Sequence, residues 1–182
     1  MRTAILASLC LAVAVSAGAG ETPRPSPPFS IQRLGDAPLP LSKYRGKVVA
    51  VAFISTTCPH CQNLTQILSR IYNDYESRGV EILECAFNED AVLPLFIKQF
   101  NPPFPVGYAK RNDVYAYLQY SVIEQKPVYV PHMVFLDKAG IIRGDYPGED
   151  PFFTDPDKSV RAELDKLLKP PAAAASTASK KK

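Results

Sequence analysis

The chain has 182 residues, of which 46% are hydrophobic and 21% charged, and its formal net charge at pH 7 is +3. This length is sufficient for one domain with a full hydrophobic core and flanking tails. The net charge is small and part of it comes from lysines at the extreme C-terminus, so the composition predicts no nucleic-acid partner.

The N-terminal segment has the pattern of a secretory signal peptide. Arg2 supplies a positive charge, and residues 4–15 form an apolar stretch that small residues follow. We expect residues 1–19 to be the signal peptide and the mature protein, cleaved after Ala19, to be periplasmic or secreted. The stretch is short for a bilayer span, and an uncleaved membrane anchor is the alternative. Cys10 lies within this segment and leaves with it on cleavage.

The rest of the chain divides into a linker, a folded domain and a tail. Residues 20–29 are rich in proline and predict an extended or disordered linker before a domain at residues 30–169. Apolar runs and helical periodicities alternate in that domain. The predicted strands are residues 30–34, 48–54, 80–87, 128–136 and 141–146. The predicted helices are residues 58–77, 90–100, 112–120 and 156–168. Residues 170–182, rich in alanine, serine and lysine, predict a disordered tail.

This order of elements predicts an α/β protein. The strand at residues 48–54 is apolar throughout, as expected of a strand covered on both faces, and the last two strands form a hairpin over residues 137–140. Alternating strands and helices that end on a hairpin and a helix favour a three-layer sandwich, with a central mixed β-sheet flanked by helices.

The segment Cys58-Pro59-His60-Cys61 lies between a predicted strand and the helix that follows it. The spacing puts both sulfurs in the first turn of the helix, where unpaired backbone N–H groups and the helix dipole stabilise a thiolate. A dithiol in this place predicts a redox pair that cycles between two thiols and a disulfide, without a further cofactor.

A zinc site is the main structural alternative for this spacing. Zinc ribbons use the same pair of cysteines but need a second pair of ligands. The other candidate ligands are Cys85, His60 and His132, which are scattered singly along the chain. We therefore expect no metal site. After export, Cys58, Cys61 and Cys85 of the mature protein would be in a compartment in which disulfides persist.

Four segments carry a resemblance to a known family: LSKYRGKVV at residues 41–49, CPHC at 58–61, RGVEI at 78–82 and VPHMVFLD at 130–137. The chain resembles the TlpA-like, redoxin-type branch of the thioredoxin superfamily, which consists of exported thiol–disulfide oxidoreductases. The resemblance implies a thioredoxin-like fold. It also implies an enzyme that exchanges electrons with cysteine-containing protein substrates and with a redox partner, for which a membrane electron carrier is one candidate.

The resemblance assigns roles to the residues of the motif. Cys58 is the nucleophile that forms a mixed disulfide with a partner, and Cys61, one turn on, resolves it. A charged His60 between them stabilises the Cys58 thiolate and shifts the pair towards oxidising potential. The alternative for His60 is a solvated residue with no tuning role.

A second set of residues is expected to face the substrate. By the resemblance, Pro131 is the cis-proline that faces the dithiol, in agreement with its place at the start of an apolar strand. A cis bond there lets the backbone of Val130 pair with a bound substrate chain. Pro59 and His132 complete the predicted substrate-binding surface.

The chain departs from its relatives in its carboxylates. Ala52 stands where thioredoxin keeps a buried aspartate, and Leu64 stands where some reducing members of the family, those that serve cytochrome c maturation, carry a glutamate. Their absence favours an oxidising enzyme. Glu84 lies in a predicted strand, and we consider two interpretations, a proton shuttle that compensates for the loss and an edge position at the surface. Cys85 is expected to be a small apolar core residue, with an auxiliary redox role as the alternative.

Two other functions remain as alternatives. Residues 55–58 loosely resemble the active-site loop of peroxiredoxins, which makes a peroxidase one of them, although Val51 stands where that loop needs its proline. The other is a copper(I)-binding delivery module on the same fold, in which the dithiol and a further ligand such as His132 hold the ion.

Overall fold

A computed structural model of the chain describes residues 20–121 and 127–169. The strands are β1 (Arg24–Pro25), β2 (Ser30–Ile31), β3 (Leu39–Pro40), β4 (Val48–Ile54), β5 (Val80–Ala86), β6 (Val106–Tyr108), β7 (His132–Leu136) and β8 (Ile141–Tyr146). The α-helices are α1 (Pro59–Tyr75), α2 (Leu93–Phe100), α3 (Arg111–Tyr117) and α4 (Pro156–Leu168). The predicted signal peptide, Cys10 and the predicted tail lie outside the described residues.

The described strands form one mixed six-stranded sheet in the order β1-β8-β7-β4-β5-β6, with β2 and β3 as a separate pair. β4 is parallel to β5, and β5 to β6, whereas β7, β8 and β1 run antiparallel to their neighbours. All seven residues of β4 and all seven of β5 are buried. These two strands need helices on both faces, because apolar side chains project from both.

Helices cover the sheet on both faces. α1, α2 and α4 pack on one face, around Ala50, Ala52 and Ile54 of β4. α3 packs on the other face, against Val49, Val51 and Phe53. The alternation of residues along β4 between two separate cores is the period of two expected of a strand. The predicted three-layer sandwich with a central mixed sheet is confirmed.

The helix that carries the dithiol starts and ends at clear signals. Pro59 is its first residue, a position where the missing N–H of proline costs nothing. Its buried face repeats at helical spacing through Leu64, Leu68, Ile71 and Tyr75. A short 3₁₀ turn follows, and Gly79 ends it in the left-handed region at φ 86°.

Several strands and helices in the structure have bounds that differ from the predicted ones. The predicted strand at residues 128–136 begins only at His132, and the predicted helix at 90–100 begins only at Leu93. β3 and β6, with two and three residues, were not predicted. Elements this short carry too little apolar periodicity to stand out from loops. None of the helices in the described part of the chain combines the length and hydrophobicity that a membrane span requires.

The prediction of a linker at residues 20–29 does not hold, because this segment is part of the folded domain. Arg24 and Pro25 pair with Ile142 and Ile141 of β8 as an edge strand. Phe29 is buried, and its ring centroid lies 4.7 Å from that of Tyr117. Prolines are compatible with an edge strand, which needs no N–H towards solvent, so a proline-rich composition did not exclude this pairing.

A buried ion pair fixes this edge strand. Nη2 of Arg24 lies 2.6 Å from Oδ2 of Asp145, and Nε2 of His132 lies 2.5 Å from Oδ1 of the same carboxylate. The Arg24 and Asp145 side chains are only 9% and 1% exposed. Removing either charge would leave the other buried without a partner, which is costly because the remaining charge cannot regain its hydration in the folded state.

Replacing Arg24 with methionine is expected to lower the free energy of unfolding by about 2–3 kcal/mol, because Asp145 stays buried and loses a charged hydrogen bond. Urea denaturation followed by circular dichroism measures this loss. Arg33→Met is the control, since Arg33 makes a partly exposed ion pair with Asp36 and its loss costs about 1 kcal/mol or less. Equal losses in both variants contradict the prediction.

Candidate active site

Cys58 and Cys61 lie together at the N-terminus of α1, as predicted. Cys58 caps the helix with an extended backbone (φ −82°, ψ 120°), and Cys61 lies in the first turn. Both are free thiols; Cys58 is partly exposed and Cys61 is buried. The Cys58 side chain lies close enough to the Cys61 thiol to influence its pKa. Cys58 is therefore the more accessible of the two sulfurs.

The surroundings of Cys61 keep its thiol protonated. Burial raises its pKa well above the usual range, and the nearby Cys58 and Glu84 raise it further. A hydrogen bond with the backbone of Ser55 opposes this shift without cancelling it. For Cys61 to act as a nucleophile or to leave as a thiolate, its proton must move to or from another group.

The loop before the dithiol is held by residues that the sequence did not single out. Asn88 Oδ1 accepts a hydrogen bond from the Thr56 N–H (3.1 Å), and Asn88 Nδ2 donates one to Thr56 Oγ1 (3.1 Å). Gln62 Nε2 donates to the Thr56 carbonyl (2.9 Å). Asn88 follows β5, the parallel neighbour of β4, so the carboxyl ends of both strands meet here. A prediction that these two strands are parallel neighbours could have indicated that Asn88 lies beside the dithiol loop.

A groove runs beside the dithiol, between α1, the start of β7 and the loop after β8. Its volume is about 480 Å³. The lining residues include His60, Leu64, Val130, Pro131, Glu149 and Phe153. The Val130–Pro131 peptide bond is cis, as the resemblance implied. Val130 and Pro131 thus line the same groove as His60 in the first turn of α1.

Glu84 is buried on the same face of the sheet as the dithiol. Its side chain is 0% exposed, so the interpretation that placed it at a surface edge is wrong. Glu84 is the register partner of Ala52 on the neighbouring strand. A carboxylate is therefore present beside the strand that lacks one, and Ala52 leaves space for it. Burial raises the pKa of Glu84 to about 8, and a hydrogen bond from Thr65 limits the rise.

Thr65 connects Glu84 to the dithiol helix. Its Oγ1 lies 2.9 Å from Oε1 of Glu84 and 3.0 Å from the carbonyl oxygen of Cys61. The carbonyl can only accept, and the hydroxyl has one proton to give. When Thr65 donates to that carbonyl, a protonated Glu84 can donate to Thr65; an ionised Glu84 must compete for the Thr65 proton. Oε2 of Glu84 has no partner among the described residues.

His132 lies away from the dithiol. It is fully buried and pairs with Phe53, whose side chain belongs to the opposite face of the sheet from Cys61. Nε2 of His132 is bonded to Asp145. The prediction that His132 faces a substrate or completes a copper site does not fit this arrangement, because side chains alternate along a strand and Pro131, one residue earlier, takes the groove side.

Cys85 is buried on the face opposite the dithiol, in the core that contains Phe53 and Leu83. This position fits the predicted role of a small apolar core residue. Within residues 20–121 and 127–169, no group of three or more histidine, cysteine or acidic side chains is arranged to hold a metal ion.

The chain is similar to known proteins over most of its length. The family model described as "AhpC/TSA family" matches residues 23–144. The thiol-disulfide oxidoreductase ResA of Bacillus thuringiensis subsp. konkukian is 28% identical over 157 residues, which cover 81% of this chain and 87% of the relative.

Solved structures show the same fold. A thiol:disulfide interchange protein of the thioredoxin family from Chlorobium tepidum has a TM-score of 0.65 at 22% identity, over 83% of this chain and all of that one. A thiol:disulfide interchange protein from Bacteroides sp. has a TM-score of 0.65 at 19% identity, over 86% and 95% of the two chains. The thioredoxin-like form of the three-layer sandwich is thereby confirmed.

Proposed function

Because the chain belongs to the AhpC/TSA family and is a thiol–disulfide oxidoreductase of the thioredoxin superfamily, we propose that Cys58 and Cys61 form its redox-active pair and that its substrates are cysteine-containing proteins. One observation carries the proposal. A partly exposed thiol and a buried thiol lie together at the N-terminus of α1, beside the groove that Val130 and Pro131 line.

The exchange proceeds through a mixed disulfide. When the pair is oxidised, a partner thiolate attacks Sγ of Cys58, the Cys58–Cys61 bond breaks, and Cys61 leaves with the electron pair and takes up a proton. A second thiolate of the partner then attacks the mixed disulfide and displaces Cys58. The partner gains a disulfide, and its two electrons remain on the reduced pair. The reverse sequence reduces a partner disulfide.

Glu84 is the group that exchanges the Cys61 proton. It is close enough for its charge to act on the Cys61 thiol, and its pKa of about 8 lets it hold or release a proton near neutral pH. Its link to the Cys61 carbonyl through Thr65 holds it against the helix. Glu84 therefore takes the place of the aspartate that thioredoxin keeps at the position of Ala52.

The pair is tilted towards oxidising potential and acts outside the cytosol. His60 supports the first statement, since an imidazole beside Cys58 favours the thiolate over the disulfide when it is charged, and the His60 side chain is exposed at the groove. The apolar leader at residues 4–15 supports export. The partner that recycles the pair is a separate redox protein, with a membrane electron carrier as one candidate.

Trapping of the mixed disulfide tests the proposal. Cys61→Ser removes the resolving thiol, so after mixing with a disulfide-bonded substrate protein we expect a covalent adduct that dithiothreitol releases. Cys85→Ala is the background for both this variant and its control, Cys58→Ser with Cys61 intact. No adduct with Cys61→Ser, or an equal adduct with Cys58→Ser, is inconsistent with the assigned roles.

Replacing His60 with alanine is expected to lower the midpoint potential of the pair by about 30 mV, which corresponds to about 1.4 kcal/mol of lost preference for the dithiol form. Equilibration with glutathione followed by alkylation measures the potential. Gln66→Ala, at an exposed position further along α1, is the matched control and should leave it unchanged. A shift towards more positive values with His60→Ala refutes the tuning role, and an absolute value near −270 mV refutes the oxidising tilt.

A further inference from the structure

The groove beside the dithiol has an acidic wall. Its lining contains the acidic residues Glu149 and Asp150, and within the described residues no lysine or arginine contributes to it. His60 at the start of α1 is the one ionisable residue on the opposite wall.

Neither carboxylate is neutralised by a basic side chain of the described residues. Asp150 Oδ1 accepts a hydrogen bond from the Phe152 N–H (2.7 Å), which caps the 3₁₀ turn at Pro151–Thr154 and fixes the side chain. Glu149 is exposed and makes no salt bridge with another described residue. The negative charge of Asp150 reaches Tyr146, and that of Glu149 reaches Tyr120, whose pKa values are raised mainly by burial and further by these charges.

The acidic wall formed by Glu149 and Asp150 is held in position relative to Val130 and Pro131. The Gly148 N–H donates to the Tyr129 carbonyl (3.2 Å), so the loop after β8 is tied to the segment just before Val130 and Pro131. At Gly148, a Cβ atom would lie 2.9 Å from the Tyr129 carbonyl carbon, which explains why the chain has glycine at this contact. A segment bound along Val130 therefore passes Glu149 and Asp150 on one side and His60, two residues after Cys58, on the other.

We propose that this groove selects partner segments in which a lysine or arginine lies beside the reacting cysteine. The inference rests on the proposed exchange function and names the chemistry of its substrate. A cation in the groove pairs with Glu149 and Asp150 at the protein surface, where opposite charges increase the rate of productive encounter more than they increase final affinity. An anionic segment meets two like charges in the same place.

Two matched peptides test the inference. Both carry one cysteine as a mixed disulfide with 2-thiopyridine; in one, lysines flank the cysteine, and in the other, glutamates do. The protein carries Cys61→Ser and Cys85→Ala, so Cys58 is the remaining cysteine of residues 20–182. The Cys58 thiolate attacks the peptide sulfur, the sulfur–sulfur bond breaks, and pyridine-2-thione leaves with the electron pair. Its absorbance gives the rate, and no other oxidant or reductant is needed.

We expect the lysine peptide to react about three- to tenfold faster than the glutamate peptide in dilute buffer, after each rate is divided by that of a simple thiol with the same peptide. The ratio should fall towards one near about 1 M salt, because salt screens surface charges.

Glu149→Gln with Asp150→Asn should remove most of the preference, since asparagine keeps an oxygen for the Phe152 N–H. The control Glu76→Gln with Asp113→Asn changes the net charge equally at exposed positions outside the groove and should keep it. Equal rates for the two peptides, or a preference that the groove variant retains, overturn the inference while exchange by Cys58 stands. Failure of both peptides to form an adduct overturns the proposed function as well.

Discussion

Replacing Cys58 with serine is expected to slow disulfide exchange with protein substrates by at least about 10³-fold, because a hydroxyl at neutral pH does not attack a disulfide and cannot form one. Cys61 cannot substitute for it, since it is buried and its pKa is raised mainly by that burial. The reduction of a disulfide-bonded substrate protein, followed by the release of its free thiols, measures the loss.

The control for this prediction is Cys85→Ala. Cys85 is buried in the core on the other face of the sheet, so its replacement should leave the exchange rate within about twofold while costing some stability. Circular dichroism of both variants establishes that they fold. If the folded Cys58→Ser variant keeps more than a tenth of the activity, Cys58 is not the attacking residue.

Replacing Glu84 with glutamine is expected to change how stability depends on pH. The pKa of Glu84 is raised from 4.5 to about 8 by burial, so the folded protein holds a proton that the unfolded chain releases. The stability that this proton supplies is complete below about pH 4.5 and is lost as the pH rises through 8. The difference amounts to at most about 5 kcal/mol. Glutamine has no charge to bury, so the variant should lose less stability between pH 5 and 9.

Urea denaturation at several pH values measures this effect, and Glu81→Gln serves as the control. Glu81 lies on the same strand but makes a salt bridge with Lys47 at 2.8 Å, so its replacement should leave the steep loss towards pH 9 in place. Parallel stability curves for the wild type and Glu84→Gln contradict the assignment of a buried, protonated Glu84.

The same variant separates proton transfer from packing. Without a carboxylate to accept the Cys61 proton, the step in which Cys61 resolves the mixed disulfide should slow by about 10- to 100-fold, and its dependence on a group with a pKa near 8 should disappear. Single-turnover release of the partner from Cys58 measures that step across pH. Ala52→Asp in the Glu84→Ala background should restore part of the rate, because the two positions are register partners on one face of the sheet.

The sequence predicted what local patterns determine. β4 at Val48–Ile54 and α4 at Pro156–Leu168 have the predicted bounds, because apolar runs and helical spacing act over a few residues. The dithiol at the start of α1 and the cis bond before Pro131 were also predicted, the second from the resemblance. Each of these depends on neighbours in the chain.

The features that the sequence did not predict depend on contacts between residues that are distant in sequence. Arg24 pairs with Asp145, which is 121 residues away in sequence, and this ion pair holds the proline-rich segment in place as an edge strand. Glu84 could be placed at the dithiol only once the register with Ala52 was known, since one residue either way puts it on the opposite face. The side chain of His132 lies on the opposite face of the sheet from the groove for the same reason, since side chains alternate between the two faces. The sequence could identify the chemical groups, whereas the register of the sheet decided which of them meet.

Because Cys85 is buried, the rate at which its thiol is labelled can report how often the core of the protein opens. With Cys58 and Cys61 joined in a disulfide, Cys85 is the remaining thiol of the described residues, and a reagent can reach it only when the sheet core separates. Its labelling rate under native conditions then follows the population of opened molecules when reclosing is fast, and the unfolding rate itself when labelling is fast. A single mass measurement over time therefore follows the stability of the oxidised form without denaturant.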